Sequence, residues 1–229
     1  MWDTLTEILG LVLGLSGIIL LILANETDCW RQDAKDQFAS VGLSFRCRGL
    51  WSECLFDNMA NIWTCDIPPS YLGELPVDMV ITRALILVMC VVCICAIPML
   101  LCGMGCTRLV SDAGSQKARL TASAGTLFLF GGTSGAVGVL WYAVGTFIKY
   151  RREATYAIPG VTYELGYSYW FAVAGVVCVC AVGIMLLSVT CSTRKRMNKG
   201  KIHRATLLLT GHNNHMPTSP LPGHSKTYL

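Results

Sequence analysis

The chain has 229 residues, of which 53% are hydrophobic and only 14% are charged. About a quarter of the residues of a soluble domain are charged, so this composition excludes an ordinary soluble protein. The net charge of +4 comes from a basic C-terminal segment that follows an apolar stretch, which indicates anionic lipid and not nucleic acid as its partner.

Four uncharged stretches approach or exceed the length of a membrane-spanning helix. They contain 17, 24, 29 and 29 residues and cover positions 8–24, 84–107, 120–148 and 165–193. A helix needs about 20 apolar residues to cross a bilayer. The sequence therefore predicts a mainly α-helical membrane protein with four spans, at about 6–25, 80–102, 120–147 and 166–190.

The first stretch is predicted to be a retained span and not a signal peptide. A signal peptide begins with basic residues and ends at a cleavage site of small residues. Here Asp3 and Glu7 precede the apolar residues, and the polar segment Asn25-Glu26-Thr27 follows them. We therefore count this stretch as the first of the four spans.

The distribution of Lys and Arg predicts which loops face the cytoplasm. Seven basic residues and no acidic residue follow position 193, and three basic residues against one acidic residue separate the second and third spans. Because Lys and Arg mark the cytoplasmic side, both termini are predicted to be cytoplasmic, with extracellular loops at about 26–79 and 148–165. Lys149, Arg151 and Arg152 in the second loop argue weakly against this orientation.

The twelve cysteines divide between the membrane and the first loop. Cys29, Cys47, Cys54 and Cys65 lie in the first loop, where an oxidising exterior permits disulfides. The other eight lie in or beside the second and fourth spans, and we interpret them as packing residues and not as a metal site. Three of them are at cytoplasmic span ends, where palmitoylation and plain packing both stay open: Cys102, Cys106 and Cys191.

One β-strand can be read from the first loop. Apolar and polar residues alternate over positions 41–51, with Leu50 as the exception, and such alternation is typical of a half-buried strand. The alternation predicts two faces: Phe45, Cys47 and Trp51 inward, Arg46 and Arg48 toward water. The outer domain is therefore predicted to be a small sheet on a helical stalk.

The loop cysteines offer this sheet covalent support. Cys54 and Cys65 enclose about a dozen residues, a loop that a disulfide would stabilise by about 3 kcal/mol on the chain-entropy model. Cys29 and Cys47 either form a second disulfide across a hairpin or remain free buried thiols. A free thiol on the outside would be reactive.

These residues together resemble the signature of the claudin family. Trp30, then Gly49-Leu50-Trp51, then Cys54 and Cys65 follow the pattern W…G-L-W-x-x-C…C. The resemblance covers nearly the whole chain. Within the family, the chain is most similar to the paracellin subgroup, on the strength of Asp28-Cys29-Trp30 and of the ten residues between Cys54 and Cys65.

The resemblance implies a left-handed bundle of four transmembrane helices with a small extracellular antiparallel β-sheet. Residues 1–193 would form this domain, and residues 194–229 a disordered cytoplasmic tail. It also implies a plasma-membrane protein of the tight junction that binds other claudins in cis and in trans and polymerises into strands with paracellular barriers or pores. Claudins are not enzymes, and the sequence shows no nucleophile–base pair, metal cluster or nucleotide loop that would indicate a catalyst or a cofactor.

The charge of the first loop predicts how such a pore would select ions. Between Cys54 and Pro76 the charged residues are Asp57, Asp66 and Glu74, all acidic. Carboxylates that line a narrow passage favour cations. The resemblance places the pore acid directly after the second cysteine, at Asp66, with Asp57 as a weaker candidate.

Two observations leave this selectivity open at the level of sequence. Asp66 also fits the N-cap of a short helix that would begin at Ile67-Pro68. Arg46 and Arg48 would oppose cation passage if their strand face lined the pore. A barrier function therefore stays open beside a cation pore.

Other prominent residues are interpreted as structural. Trp30 and Trp51 are expected to pack at the base of the sheet, as the resemblance implies, and Arg83 is expected to reach water or an acid such as Asp78. Gly131-x-x-x-Gly135 in the third span permits close helix packing, which we assign to the bundle and not to a dimer.

The tail carries one candidate binding motif. Thr227-Tyr228-Leu229 presents a hydroxyl, any residue and a terminal hydrophobe, which suits a PDZ scaffold that adds the segment as a β-strand. Pro217, Pro220 and Pro222 break any helix before it.

A function outside the junction is the alternative to the paracellular one. The claudin signature is shared with non-junctional adhesion proteins and with auxiliary subunits of channels. The first loop of about 55 residues favours the junctional function, because receptor auxiliary subunits carry longer insertions there.

Overall fold

The computed structural model of the chain describes residues 2–35, 44–57, 61–67, 77–104, 114–155 and 161–213. These residues form four helices and five strands. The helices are α1 (Trp2–Glu26), α2 (Val77–Gly103), α3 (Gly114–Thr155) and α4 (Tyr167–Asn213). The strands are β1 (Arg31–Lys35), β2 (Ser44–Arg48), β3 (Glu53–Asp57), β4 (Ile62–Ile67) and β5 (Val161–Leu165).

Each helix is long and apolar enough to cross a membrane. The candidate spans are Leu5–Glu26, Val77–Gly103, Gln116–Arg152 and Tyr167–Lys195. Together with the small antiparallel sheet, they confirm the predicted fold class. The helices exceed the uncharged stretches because the flanking residues, though charged or polar, include no proline that would end them.

Both loops on one side of the helices contribute to a single sheet. Its order is β4-β3-β2-β1-β5, and every neighbouring pair is antiparallel. β5 comes from the second loop and pairs along the whole of β1, from Arg31 opposite Leu165 to Lys35 opposite Val161. β4 and β5 are therefore the two edge strands.

The strand predicted for positions 41–51 is shorter than its alternation suggested. β2 covers Ser44–Arg48, and positions 41–43 lie outside the described residues. The chain turns at Gly49, so the prediction that Trp51 continues the inner face of this strand is wrong. The turn interrupts the pattern because Gly49 bonds to Ser52 and not to a neighbouring strand.

The glycines of α3 pack inside the bundle. A Cβ atom on Gly131 would lie 3.0 Å from Cys93 Sγ of α2, and one on Gly132 would lie 3.4 Å from Val179 of α4. A Cβ on Gly135 would meet Met89 of α2 as well as Val176 of α4. Such small residues let helix backbones approach closely, and here they serve packing within one chain.

One core joins the bundle to the sheet. Phe128, Met89 and Val179 are fully buried between the helices, and Trp30 and Leu50 at the base of the sheet belong to the same apolar cluster. The sheet is thus packed on the bundle and not tethered by flexible loops alone.

α4 continues well past its candidate span. The chain divides into two compact units, residues 1–190 and 191–229, and the helix runs into the second unit as far as Asn213. The prediction of a disordered tail from residue 194 therefore does not hold for residues 194–213. This segment is rich in the helix formers Lys, Arg and Leu, and the prolines on which the prediction rested come later, from Pro217.

The five-stranded sheet as candidate functional site

Trp30 fixes the sheet to three helices. Its ring is fully buried, and its Nε1 donates a hydrogen bond of 2.7 Å to the carbonyl oxygen of Ala24 in α1. The ring meets Tyr142 of α3 and Tyr169 of α4 edge to face, with centroids 5.2 Å and 6.2 Å away. Aromatic pairs of this kind contribute about 0.5–1.5 kcal/mol beyond the area they bury. Trp30 therefore has the structural role that the sequence predicts.

Gly49 makes a turn that no larger residue can make. Its backbone N–H donates to the carbonyl oxygen of Ser52 at 2.9 Å. A Cβ atom at this position would lie 2.7 Å from the Cα atom of Asp28 and 2.8 Å from the Ser52 oxygen. The glycine thus brings two backbone segments into contact, and the neighbouring Leu50 is buried beneath them.

Trp51 lies on the outside of this turn. Its ring is 43% exposed, and its Nε1 donates to Asn25 Oδ1 at 2.9 Å. The guanidinium carbon of Arg83 lies 4.9 Å from the ring centroid, and Arg83 Nε donates to the Leu50 carbonyl oxygen at 2.7 Å. Trp51 is therefore a link between α1, the turn and α2.

Arg83 is partly exposed, but Asp78 is not its partner. Arg83 instead holds the turn, while Asp78 Oδ2 accepts an ion pair from Lys149 Nζ of α3 at 3.3 Å. Residues five apart on a helix lie on different faces, so Asp78 and Arg83 cannot share a partner easily. The pair also neutralises one of the three basic residues that opposed the predicted orientation.

Two disulfides join neighbouring strands on the same side of the sheet. Cys54 is bonded to Cys65, and Cys29 is bonded to Cys47, a second pair that the sequence had left open. Cys47 and Cys54 stand opposite each other in β2 and β3. Cys29, Cys47 and Cys54 are buried together, so the disulfides form a small core of their own.

Asp28 adjoins this core without forming a metal site. Its carboxylate accepts a hydrogen bond from Ser52 Oγ, and its other oxygen lies 3.7 Å from Cys54 Sγ. Asp28, Cys54 and Cys65 place possible ligand atoms within 4.8 Å of one another. Both sulfurs are used in a disulfide, however, and a metal is bound by thiolate and not by a disulfide.

Four charged residues form a paired cluster where the sheet meets the bundle. Arg31 Nε lies 3.1 Å from Asp33 Oδ1, and the Arg31 side chain is only 8% exposed. Arg48 Nε lies 3.4 Å from Glu53 Oε1 and 3.7 Å from Asp33 Oδ2. The cluster joins the three adjacent strands β1, β2 and β3 and carries equal numbers of acidic and basic groups.

This cluster corrects the prediction that Arg48 faces water. The pairing of β1, β2 and β3 sets Arg31 opposite Arg48 and Arg48 opposite Glu53. One face of the sheet is therefore charged near the bundle. Arg46, two residues earlier in β2, is exposed as predicted. Alternation in β2 alone could not reveal the cluster, because its acidic members are in other strands.

Asp57 and Asp66 are not brought together. Asp57 ends β3, opposite Ser44 and Ile62, while Asp66 lies near the other end of β4. Asp66 is four positions further along β4 than Ile62, a distance of about 13 Å in an extended strand. Ile67 belongs to β4, and the short helix of the capping alternative for Asp66 would continue from Pro68 into residues outside the described ranges.

The hairpin between β3 and β4 presents apolar side chains that sequence reasoning missed. Ile62 and Trp63 are more than half exposed, and the Trp63 ring lies 4.9 Å from that of Phe56 across the hairpin. Asn61, at the start of the return strand, has a φ of 53°, a left-handed value that asparagine tolerates well. The signal in the sequence is the dipeptide Ile62-Trp63 beside an asparagine.

The remaining candidate residues lie away from the sheet. Cys102 is half-buried in the last turn of α2, and Cys191 is exposed on α4. Cys106 and the PDZ motif Thr227-Tyr228-Leu229 lie outside the described residues.

Comparison with known families gives one broad match. The chain matches a family model described as PMP-22/EMP/MP20/Claudin tight junction over residues 15–188. This range begins within α1, ends within α4 and contains all five strands described above. It therefore includes every residue of the sheet and its anchors.

The individual relatives that the chain resembles are claudins. The chain is 37% identical to claudin-16 of Rattus norvegicus over 156 residues, which are 68% of this chain and 65% of that relative. Claudin-16 of Homo sapiens is 36% identical over the same shares. The chain thus spans less than two thirds of the length of these relatives. Claudin-2 of Homo sapiens is 26% identical over 95% of this chain and 90% of its own length.

Proposed function

Because the chain belongs to the claudin family, we propose that it is a tight-junction protein that polymerises into strands and forms a cation-permeable paracellular pore. Other claudins, in the same membrane and in the facing one, would be its partners. The observation that carries the proposal is the place of Asp66, directly after the disulfide-bonded Cys65 in the edge strand β4. An acid at the edge of a rigid sheet can face a passage between neighbouring molecules.

We propose that the sheet is extracellular and that both termini are cytoplasmic. The basic segment after residue 193 supports this orientation. Lys149 pairs with Asp78, and Arg151 and Arg152 are exposed at this end of α3. These three bases still count against the orientation, but the tail carries more than twice as many. Disulfides between the loop cysteines also suit the oxidising exterior.

The charge balance of the sheet supports cation passage. Arg46 and Arg48 are the bases that would oppose cations by their sequence positions, but Asp33 and Glu53 compensate the charge of Arg48. Arg46 is the exposed base that remains on this face of β2. Asp57 and Asp66 occupy different register positions of the β3–β4 hairpin, so each is proposed to act on a cation separately, with Asp66 as the principal site.

The test is a salt-dilution potential across a claudin-depleted epithelial monolayer that expresses the chain. We compare the unchanged protein with Asp66→Asn, Asp57→Asn and a control, Glu164→Gln. The control removes the same charge from β5, the opposite edge strand, where Glu164 is exposed. One carboxylate at 4 Å attracts a cation by about 1 kcal/mol in water, so Asp66→Asn should lower the cation-to-anion permeability ratio about fivefold.

The outcomes separate the functional classes. A cation-selective potential that falls in Asp66→Asn but not in Glu164→Gln supports the pore. Restored resistance without charge preference would instead make the protein a barrier. Surface expression with neither effect would contradict the junctional function and favour an adhesion protein or a channel auxiliary subunit.

We also propose two attachments for the cytoplasmic side. Thr227-Tyr228-Leu229 would bind PDZ scaffolds of the junction, and loss of binding to an immobilised PDZ domain after Leu229→Ala would test this. Palmitoylation is proposed for Cys191, Cys102 and Cys106, and acyl exchange on single Cys→Ser variants would show which of them is modified. Cys191 is favoured because it is exposed.

A further inference from the structure

The segment of α4 beyond its membrane span is unusually basic. The candidate span ends at Lys195, and the helix continues to Asn213. Six basic residues and no acidic residue occupy positions 194–213. We propose that residues 194–204, here called the basic collar, bind the phosphate groups of anionic phospholipids in the adjoining leaflet. The proposal rests on the orientation given above, since anionic lipids are concentrated in the cytoplasmic leaflet.

The collar has charges available for a ligand. Arg194, Lys195 and Lys199 are exposed. The ion pairs within the described part of the chain join Arg31, Arg48 and Lys149 to carboxylates, and none of them includes these three residues. A basic side chain that pairs with no carboxylate among the described residues is available to an external phosphate.

The helical geometry favours a lipid layer over a protein partner. At 3.6 residues per turn, the six basic positions of the collar are distributed around the whole helix. They are Arg194, Lys195, Arg196, Lys199, Lys201 and Arg204. A protein partner contacts one face of a helix, whereas a headgroup layer surrounds a helix that leaves the membrane. The arrangement therefore fits headgroups best.

The length of the collar fits the reach of the membrane surface. At 1.5 Å per residue, Arg204 is at most about 15 Å from Arg194 along the helix. The headgroup region is about 5–7 Å thick on each side, and charges act over about 8 Å beyond it at physiological salt. All six basic residues are thus within range of lipid phosphates.

The test measures which lipids surround the full-length protein in vesicles. Spin-labelled phosphatidylserine and phosphatidylcholine are compared by the fraction of each that the protein immobilises. The test variant is Arg194→Gln/Lys195→Gln/Lys199→Gln. The control is Arg151→Gln/Arg152→Gln, which removes two exposed basic residues near the C-terminal end of α3. Since each basic residue near the surface contributes about 1 kcal/mol, which is about fivefold, the preference for phosphatidylserine should fall at least about fivefold in the test variant.

The control and high salt decide the interpretation. We expect the control to keep the preference. We expect 0.5 M salt to weaken it, because the screening length falls to about 4 Å from about 10 Å at 0.1 M. Equal immobilisation of both lipids by the unchanged protein would overturn the proposal, as would a preference that survives in the test variant. An equal loss of the phosphatidylserine preference in the control would overturn the proposal too, because the preference would then depend on the total charge of the protein and not on the collar.

Two further arms separate sources and functions. Soluble inositol hexakisphosphate that binds the protein, without any preference among the lipids, would show a free phosphate ligand and would overturn the lipid assignment. The vesicle measurement needs no junction strands. A failed dilution potential with an intact lipid preference would therefore contradict the pore alone, and the reverse result would contradict the collar alone.

Discussion

The two ends of the sheet differ in how strongly their side chains are held. At the bundle end, Trp30 is buried among three helices, Gly49 presses against Asp28, and Arg48 pairs with two carboxylates. At the hairpin end, Ile62 and Trp63 are more than half exposed. The bundle end can therefore tolerate little change in shape, whereas the hairpin end is open to other molecules.

This difference explains why the most recognisable motif is not the proposed functional surface. Gly49, Leu50 and Trp51 identify the family because packing and backbone contacts restrict them to these residue types. The proposed ion contacts, Asp57 and Asp66, lie in β3 and β4, outside the motif itself. A signature can thus mark the scaffold of a function while the function itself lies in less distinctive residues.

The largest effect should come from adding a methyl group at the bundle end. Gly49→Ala would place a Cβ atom 2.7 Å from the Asp28 Cα atom, so two backbone segments must move apart. Overpacking typically costs about 1–3 kcal/mol, and a clash between two backbone segments should fall at the upper end of that range. We expect a large drop in the apparent unfolding temperature of the detergent-solubilised protein, followed by tryptophan fluorescence, and loss of surface expression.

The matched control is a glycine in open space. A Cβ atom on Gly200 of α4 has no neighbour within 4 Å, and Gly200→Ala should stabilise the helix by about 1 kcal/mol or leave it unchanged. If Gly49→Ala were as stable as Gly200→Ala, the bundle end would be less tightly held than the comparison requires.

A smaller effect is expected from the paired charges at the same end. Glu53→Gln leaves Arg48 with Asp33 as its remaining carboxylate, at 3.7 Å. Leaving a charged group short of a partner costs about 1–3 kcal/mol. Because Arg48 Nε makes no hydrogen bond among the described residues and the ion pair is partly exposed, we expect the lower part of this range, about 1–2 kcal/mol. Thermal unfolding of the solubilised variant measures the loss.

Glu26→Gln provides the control for this substitution. Glu26 ends α1 and is exposed, so the same change of charge should alter stability by less than about 0.5 kcal/mol. Equal losses in the two variants would mean that total charge, and not the pairing of Arg48, sets the stability of the sheet.

The helices and the disulfide residues could be predicted because their signals are local. An uncharged stretch of 24 or 29 residues that crosses a membrane must satisfy its own backbone hydrogen bonds, and a helix does this within one segment. Four cysteines in one loop can be paired in only a few ways. The fold class and both disulfides agree with these signals.

The contacts of Arg48 and Arg83 could not be predicted because their partners are distant in the chain. Arg48 meets Asp33 of β1, and Arg83 bonds to Leu50, 33 residues earlier. Only strand register and helix placement bring these groups together, and neither is encoded by the alternation within one strand. The place of Trp51 was mispredicted for the same reason, since the Gly49 turn depends on the backbone of Asp28.

The smallest effect should come from the hairpin end. Trp63→Ala removes a ring that is 52% exposed and lies tilted against the Phe56 ring, with 4.9 Å between the ring centroids. Such a pair contributes about 0.5–1.5 kcal/mol, so stability should fall by about 1 kcal/mol, well short of Gly49→Ala. Size-exclusion chromatography after stepwise heating measures this without the missing fluorophore. A loss equal to that of Gly49→Ala would show that the hairpin is part of the core. A small loss would leave Trp63 exposed for reasons other than stability, because an apolar ring on a folded surface is costly to keep unless another molecule covers it.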